Sequence, residues 1–411
     1  MKPNSTVSQN SSHTVAATPQ KLVALFAFTS GASVANVYFA QPLLDRLASD
    51  FGVSLGAIGS VVTATQAGSM LALLFLVPLG DQLDRRRLVR WQLVSLIFAL
   101  TWLAMTQSTA GLMAGMLVVG LLGTAMTQGM IAYAASVAAP QERGRVVGSA
   151  QAGVVVGLLL ARVWSGVIAD LAGWRAVYAG SAAVMVVLAA LIWRNLPVQA
   201  VLAQRLSYFE LVRSMLALLR TNRVLRVRGT LALLMFAVFS IFWSALALPL
   251  SAPPLSLSHS AIGAFGLIGA AGAFIAGPAG RWADQGWSYR TSAAALVLLL
   301  LAWIPVSFLE VSLWWLAVGI LLLDIGCQAL HVTNQAMIFQ SSTQAHSRLV
   351  ACYMLFYAVG SGAGALASTA VYAQGGWIGV CILGTCVSGI ALMVWAASAQ
   401  PTGTRSICTQ S

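Results

Sequence analysis

Four polar residues punctuate a largely apolar stretch toward the end of the chain: Asp324, Gln328, His331 and Gln335, at steps of four, three and four. On a helix that turns about 100° per residue, these side chains fall within about 60° of one another and form one stripe. Such a stripe faces protein or water. Asp324 lies near the middle of the stretch, where the cost of stripping water from a charge keeps an isolated carboxylate neutral at pH 7. A carboxylate that is buried and wetted in turn carries a proton. His331, two turns away, titrates near neutrality unaided. A hydrogen-bond network tying one helix to its neighbours would use the same residue types, so the stripe has a structural reading beside the chemical one.

Arg162 lies about sixteen residues into another apolar stretch, roughly 24 Å along a helix axis at 1.5 Å per residue. A cation at that depth costs a few kcal/mol unless it reaches the surface, pairs or meets water. Snorkelling, an outer gate and an attraction point for an anionic group are the three readings. Asn36, Tyr38 and Gln41 in one stretch, and Thr124, Thr127, Gln128 and Tyr133 in another, are candidates for the lining of a polar cavity. Gln66, Tyr353 and Tyr357 are weaker ones, and Gly360, Gly362 and Gly364 suggest close packing. No nucleophile with its base, no metal cluster and no phosphate-binding loop is found, so neither an enzyme nor a cofactor is expected. The five cysteines (Cys327, Cys352, Cys381, Cys386 and Cys408) have no metal spacing.

The elements that must position these residues are helices in lipid. Of 411 residues 59% are hydrophobic and 8% charged, too few charges to solvate a globular surface of that size. Apolar stretches long enough to cross a hydrocarbon core recur at about 22–44, 57–79, 88–107, 111–137, 146–169, 176–194, 229–250, 260–279, 291–308, 313–340, 349–372 and 377–397. The fold expected is all-α, with twelve transmembrane helices. Twelve crossings put both termini on one side. If that side is the cytoplasm, 19 of the 22 basic residues lie inside, with Arg46 and Arg175 outside and Arg162 within a span. That is the bias the positive-inside rule demands, and it accounts for the net charge of +12 without nucleic acid.

The chain divides into a disordered cytoplasmic tail over 1–21, six spans over 22–194, a cytoplasmic linker over 195–228, six more spans over 229–397 and a second tail over 398–411. The linker carries Phe209, Val212, Leu216 and Leu219 at helical spacing, with a basic face suited to anionic headgroups. Landmarks recur between the two sets of spans. Gly80 and Asp84 match Gly280 and Asp284 at an offset of 200, while Arg145 matches Arg348, and Gly173-Trp174 matches Gly376-Trp377, at 203. Two homologous six-helix halves are the simplest account.

Gly80-Asp81-Gln82-Leu83-Asp84-Arg85-Arg86-Arg87 resembles the G-x-L-A-D-R-x-G-R-R signature of the major facilitator superfamily, and Gly280-Arg281-Trp282-Ala283-Asp284-Gln285-Gly286 is similar to its degenerate copy. Asn36-Val37-Tyr38-Phe39-Ala40-Gln41-Pro42 and Val77-Pro78-Leu79-Gly80-Asp81 resemble a bacterial branch near the drug and sugar efflux members. Gly157 to Gly166 is similar to the antiporter signature G-x-x-x-G-P-x-x-G-G, with Arg162 where the proline stands and Ala161 and Ser165 replacing glycines. Met116 occupies the place of the usual fourth-span arginine, so proton coupling through that arginine does not carry over.

The resemblance implies two pseudo-symmetric bundles that alternately open to either side, with Asp84 and Arg85 in an inner gate alongside Gly80, Gly280 and Asp284. It also implies that Asp324, His331, Gln328 and Gln335 face the central cavity. The function expected is proton-coupled efflux of a small molecule by a monomer in the bacterial inner membrane. Uptake of a small organic anion and a non-transporting membrane sensor are the alternatives. Small-molecule substrate, protons and membrane lipid are the partners expected.

Overall fold

The computed structural model describes residues 18–80, 82–139, 141–197, 208–340 and 346–398. The tails expected over 1–21 and 398–411 fall almost wholly outside the described residues, as do Asp81 and part of the linker. The helices that matter here are α1 (Gln20–Tyr38), α2 (Ser60–Leu71), α3 (Arg85–Met105), α4 (Thr109–Val137), α5 (Arg143–Ala172) and α6 (Trp174–Asn195). They are followed by α7 (Tyr208–Thr221), α8 (Arg223–Ala245), α9 (His259–Ala273), α10 (Ala276–Asp284), α11 (Ser288–Leu301), α12 (Leu313–Gln340) and α13 (His346–Ser398). Among the described residues no strand occurs, and ten helical segments are long and apolar enough to cross a membrane.

The difference between twelve expected spans and ten continuous segments has two local causes. The stretch at 260–279 is broken between α9 and α10. Pro278 has no N–H to donate, and its ring clashes with the carbonyl four residues back, so the helix restarts at Ala276, just before it. Pro78, at the repeat offset of 200, follows a π-helical turn over Ala72–Leu76. The same perturbation therefore recurs in both halves of the sequence. The last two spans run together as α13, but Gly376 inside it has φ 58 and ψ −156, a conformation open to glycine and not to side-chain-bearing residues. Its repeat partner Gly173 has φ 82 and separates α5 from α6.

Ends are fixed by short polar groups. Asp84 caps α3 by accepting from the backbone N–H groups of Arg86 at 2.9 Å and Arg87 at 3.4 Å. Ser108 caps α4 and Asn222 caps α8 in the same way. Large apolar side chains such as Phe98, Met105 and Trp314 point outward, as lipid-facing positions require. Inside, one apolar cluster draws on Leu22 to Leu196 together with Ala365, and another on Leu231 to Ala391. On α7 the packed face is Leu211 and Met215, flanked by Leu218 and Leu219, while Phe209 and Leu216 face outward. Contact through Met215 to the Cys352 region of α13 sets that rotation.

The two halves of the sequence meet along α5 with α9 and α2 with α13. Bare glycines permit helix backbones to touch within a half as well: a Cβ on Gly157 would stand 2.2 Å from the Gly31 carbonyl oxygen, and one on Gly360 2.1 Å from that of Leu233. Overpacking of this kind costs about 1–3 kcal/mol or more. Gly157→Val is expected to lower the thermal midpoint of detergent-purified protein and its folded yield. Gly148→Ala, where no neighbour lies within 4 Å, should leave both unchanged. Equal behaviour of the two variants in a fluorescence melt would refute the packing argument.

Candidate functional site

Helix α9 has glycine at every third position, Gly263, Gly266, Gly269 and Gly272, a row without side chains that winds half-way round the helix. Arg162 of α5 lies on the first two and Asp324 of α12 on the last two. A Cβ on Gly263 would approach the Arg162 carbonyl oxygen to 2.3 Å, and one on Gly266 the Arg162 Cδ to 3.1 Å. On Gly269 it would come within 2.6 Å of Asp324 Oδ2, and on Gly272 within 2.9 Å of Asp324 Cβ. A single helix thus packs closely against a cation from one half of the sequence and a carboxylate from the other.

Arg162 does not snorkel; it is 2% exposed. Its guanidinium lies 3.9 Å from the ring centroid of Trp243, with Phe239 and Tyr38 at 5.5 and 6.0 Å, a cation–π setting. Its Nη2 donates to Gln41 Oε1 at 3.2 Å. Asp324 is also buried, at 7% exposed. Among the described residues, the Nε of Arg162, the Nε1 of Trp243 and the Oδ2 of Asp324 have no protein hydrogen-bond partner. The two donors border a cleft that Gln41, Pro42, Leu246, Ala247 and Ile262 also line, while the acceptor of Asp324 lies at the other end of the glycine row.

From Arg162 a row of rings leads along the seam. The hydroxyls of Tyr38 and Tyr357 are hydrogen-bonded across the two halves, and Gln66 donates to Tyr357 at 3.5 Å. Tyr357 packs edge-on to Phe236, which packs edge-on to His331. His331 Nδ1 meets the Tyr353 hydroxyl at 3.0 Å. Gln328 and Gln335 are half-buried on the same helix as Asp324, and Gln128 is half-buried on α4.

The remaining candidates are placed more locally. Asn36 donates to the Ala32 carbonyl and accepts from Ser181 at 2.7 Å, which ties α1 to α6. Thr124 donates to Ser69, tying α4 to α2. Arg85 donates to the carbonyls of Gly80 and Ala132, within the first half, and Asp84 serves as the α3 cap. Gly280 is half-buried and Asp284 is exposed at the end of α10.

Trp243 and Phe239 escape a reading of the sequence, because aromatic residues inside an apolar run carry no positional signal. The three-residue glycine period of α9 is the signal that could have found this site. Arg228, a linker arginine by its place in the sequence, lies inside α8; it is 2% exposed and donates to Ser292 at 2.8 Å and Asn334 at 3.4 Å. At the repeat offset of 203, Arg162 corresponds to the fully buried Ala365, so the charge is no requirement of the repeated architecture.

The Major Facilitator Superfamily profile matches residues 23–309. The chain belongs to the major facilitator superfamily. It is 41% identical over 374 residues to "Uncharacterized transporter YgaY" of Escherichia coli O157:H7, covering 91% of this chain and 94% of that one. It is also 30% identical over 385 residues to "Probable transporter SCO4007" of Streptomyces coelicolor, covering 91% and 86%. Among solved structures, a point mutant of the nucleoside transporter NupG matches with a TM-score of 0.72 at 14% identity over 92% of this chain and 100% of that one. The human organic anion transporter MFSD10 (TETRAN) matches with a TM-score of 0.65 at 19% identity, again over 92% and 100%. This member of the superfamily is a multi-pass membrane transporter, and its relatives bear the names of transporters and not of enzymes.

Deleting one of two opposite buried charges leaves the other uncompensated in an apolar interior, where charge is costly. Arg162→Ala is therefore expected to lower the thermal midpoint strongly. Adding Asp324→Asn to it should recover part of the loss. Strictly additive losses in that double-mutant cycle would show that the two groups do not sense each other.

Proposed function

We propose that this transporter moves a small organic anion together with a proton, binding the anion at Arg162 and the proton at Asp324. The observation that carries the reading is the packing of both charge-bearing residues against the glycine row of α9. Each is buried, and each has an unpartnered polar atom. With Asp324 ionised and no ligand bound, the cation and the carboxylate balance. With Asp324 protonated, Arg162 is left to balance the charge of a bound anion. Both states are neutral overall, whereas anion alone or proton alone leaves a net charge in a low-dielectric interior, where charge is costly. Obligate coupling follows from that cost.

Alternating access supplies the movement in this reading. Twelve spans in two six-helix bundles rock about the Arg162–Asp324 level, an arrangement supported by the separate apolar clusters of the two halves and by the repeated proline and glycine features. His331, Gln328 and Gln335 line the path on the α12 side, and Gly80, Asp84, Arg85, Gly280 and Asp284 form the inner gate. The arginine bias supports cytoplasmic termini and an inner-membrane location, and a site built within one chain supports a working monomer. Efflux in exchange for protons requires proton and substrate to compete for one group. A cation beside the carboxylate favours co-transport instead, which is the second of the directions drawn from the sequence.

Thermal-shift screening of detergent-purified protein against monocarboxylates, dicarboxylates, organic cations and neutral sugars tests the substrate class, since ligands that bind the folded state raise its stability. Stabilisation is expected from carboxylates and should vanish in Arg162→Gln. For a carboxylate so identified, Asp324→Asn in proteoliposomes should lose gradient-driven uptake about tenfold or more while retaining counterflow. Unchanged gradient-driven uptake would remove Asp324 from the mechanism.

A further inference from the structure

At the end of the molecule away from Asp84 and Asp284, one imidazole is held between two carboxylates of the opposite half. His259 begins α9. Its Nδ1 lies 3.2 Å from Asp170 Oδ1, in the last turn of α5, and its Nε2 lies 3.2 Å from both oxygens of Asp45, in the short helix Leu44–Phe51. The Asp170 carboxylate also accepts from the backbone N–H groups of His259 at 3.1 Å and Ser260 at 2.7 Å, and from the Ser260 hydroxyl. An acid from one half therefore caps the first turn of a helix in the other, where the helix dipole favours negative charge. The backbones touch here, since a Cβ on Gly166 would stand 2.2 Å from the His259 carbonyl oxygen.

The two kinds of contact differ in their response to protons. The backbone cap is indifferent to the state of the ring. The ring contacts are not. A neutral imidazole has one N–H donor and one lone pair, whereas an ionised carboxylate only accepts. With both ring nitrogens facing carboxylates, the neutral ring satisfies one acid and turns a lone pair toward the other. The imidazolium donates to both. Nearby, Asp50 lies between two arginines, Arg46 at 3.7 Å and Arg175 at 3.5 Å, which leaves one positive charge in excess.

We propose that His259 is a second proton-binding site of the transport cycle, separate from Asp324, and that its imidazolium latches this end of the two halves shut. The proposal rests on the alternating-access reading above, but not on the coupling assigned to Asp324. His259 stands one residue before the expected span at 260–279. Asp45 foremost, with Asp170 behind it, holds its imidazole above the ordinary 6.5 against the opposing effect of burial. When this end opens, the ring loses both acids and returns toward that ordinary value. The latch is thus at full strength below the open-state value and is lost as pH rises through the closed-state one. Acid on this side favours closure, and alkali favours opening. Because the latch grips the first turn of α9, it also fixes the helix whose glycines pack against Arg162 and Asp324.

A disulfide reporter tests this directly. A Cβ on Gly56 would lie 3.3 Å from the Ala373 Cβ, across the two halves at the same end and close to the roughly 3.5–4.5 Å of a disulfide. Gly56→Cys with Ala373→Cys, in a chain whose five cysteines are replaced by serine, is reconstituted in nanodiscs. It is oxidised briefly with iodine at pH values from about 5.5 to 8.5, spanning the histidine range. The rate is divided at each pH by that of the same pair carrying His259→Gln, which removes the pH dependence of the thiols themselves.

The expected ratio is about threefold or more at the acid end, falling to about one at the alkaline end. His259→Lys, which keeps a charge between the two acids, should cross-link quickly at every pH; it serves as the reference if His259→Gln does not yield monodisperse protein, the expected ratio then being about one at the acid end and about a third or less at the alkaline end. The profile should persist in Asp324→Asn. A ratio flat across pH overturns the proposal, and so does a profile that disappears with Asp324→Asn. Loss of proton-driven uptake bears only on the reading of Asp324, since cross-linking needs no substrate and no gradient.

Discussion

A charge stripped of water inside an apolar interior is costly unless an opposite charge or polar groups attend it, and the glycines of α9 are what let the helices bearing two such charges pack close here. Arg162 and Asp324 come from helices in different halves of the sequence. They lie along one helix because Gly263, Gly266, Gly269 and Gly272 let its backbone approach both. Any side chain at Gly269 would collide with the carboxylate itself. The aromatic cage of Trp243, Phe239 and Tyr38 depends on the same close approach, because it closes over a guanidinium already pressed against α9. Tyr357 then extends the arrangement across the seam through its hydroxyl contact with Tyr38.

Most of the architecture is legible in the sequence because lipid imposes simple rules. Apolar stretches of the right length become helices, and the arginine distribution suggests which ends belong together. Where the reading and the structure diverge, the cause is local. Pro278 breaks a helix that hydropathy treats as continuous, since hydropathy does not register a missing N–H. Gly376 turns the chain without interrupting its apolar character. Arg228 reads as an exposed linker arginine because charge usually marks a loop, yet Ser292 and Asn334 supply the acceptors that allow it to be buried.

The site is legible in part. Depth along the helix identifies Asp324 and Arg162 as costly residues that demand partners. It does not reveal that they attend the same helix, because sequence separation carries no information about packing between α5, α9 and α12. Asn36 and Thr124 show the converse difficulty. Their types suit a cavity wall, but Ser181 and Ser69 take their hydrogen bonds, and only coordinates distinguish a lining residue from a tie between helices.

The correspondence of Arg162 with Ala365 has a consequence for what such a site can recognise. Two matched halves arranged about an axis along the membrane normal would present a bound molecule with the same lining on either side. A guanidinium in one half, a buried methyl at its counterpart and a carboxylate elsewhere break that match. The organic anion proposed as substrate would then favour one orientation, its acid toward the guanidinium and its tail away from it. Two enantiomers with a stereocentre next to the acid would meet unlike surfaces, so discrimination between mirror-image compounds is built into a scaffold whose duplicated origin would otherwise work against it.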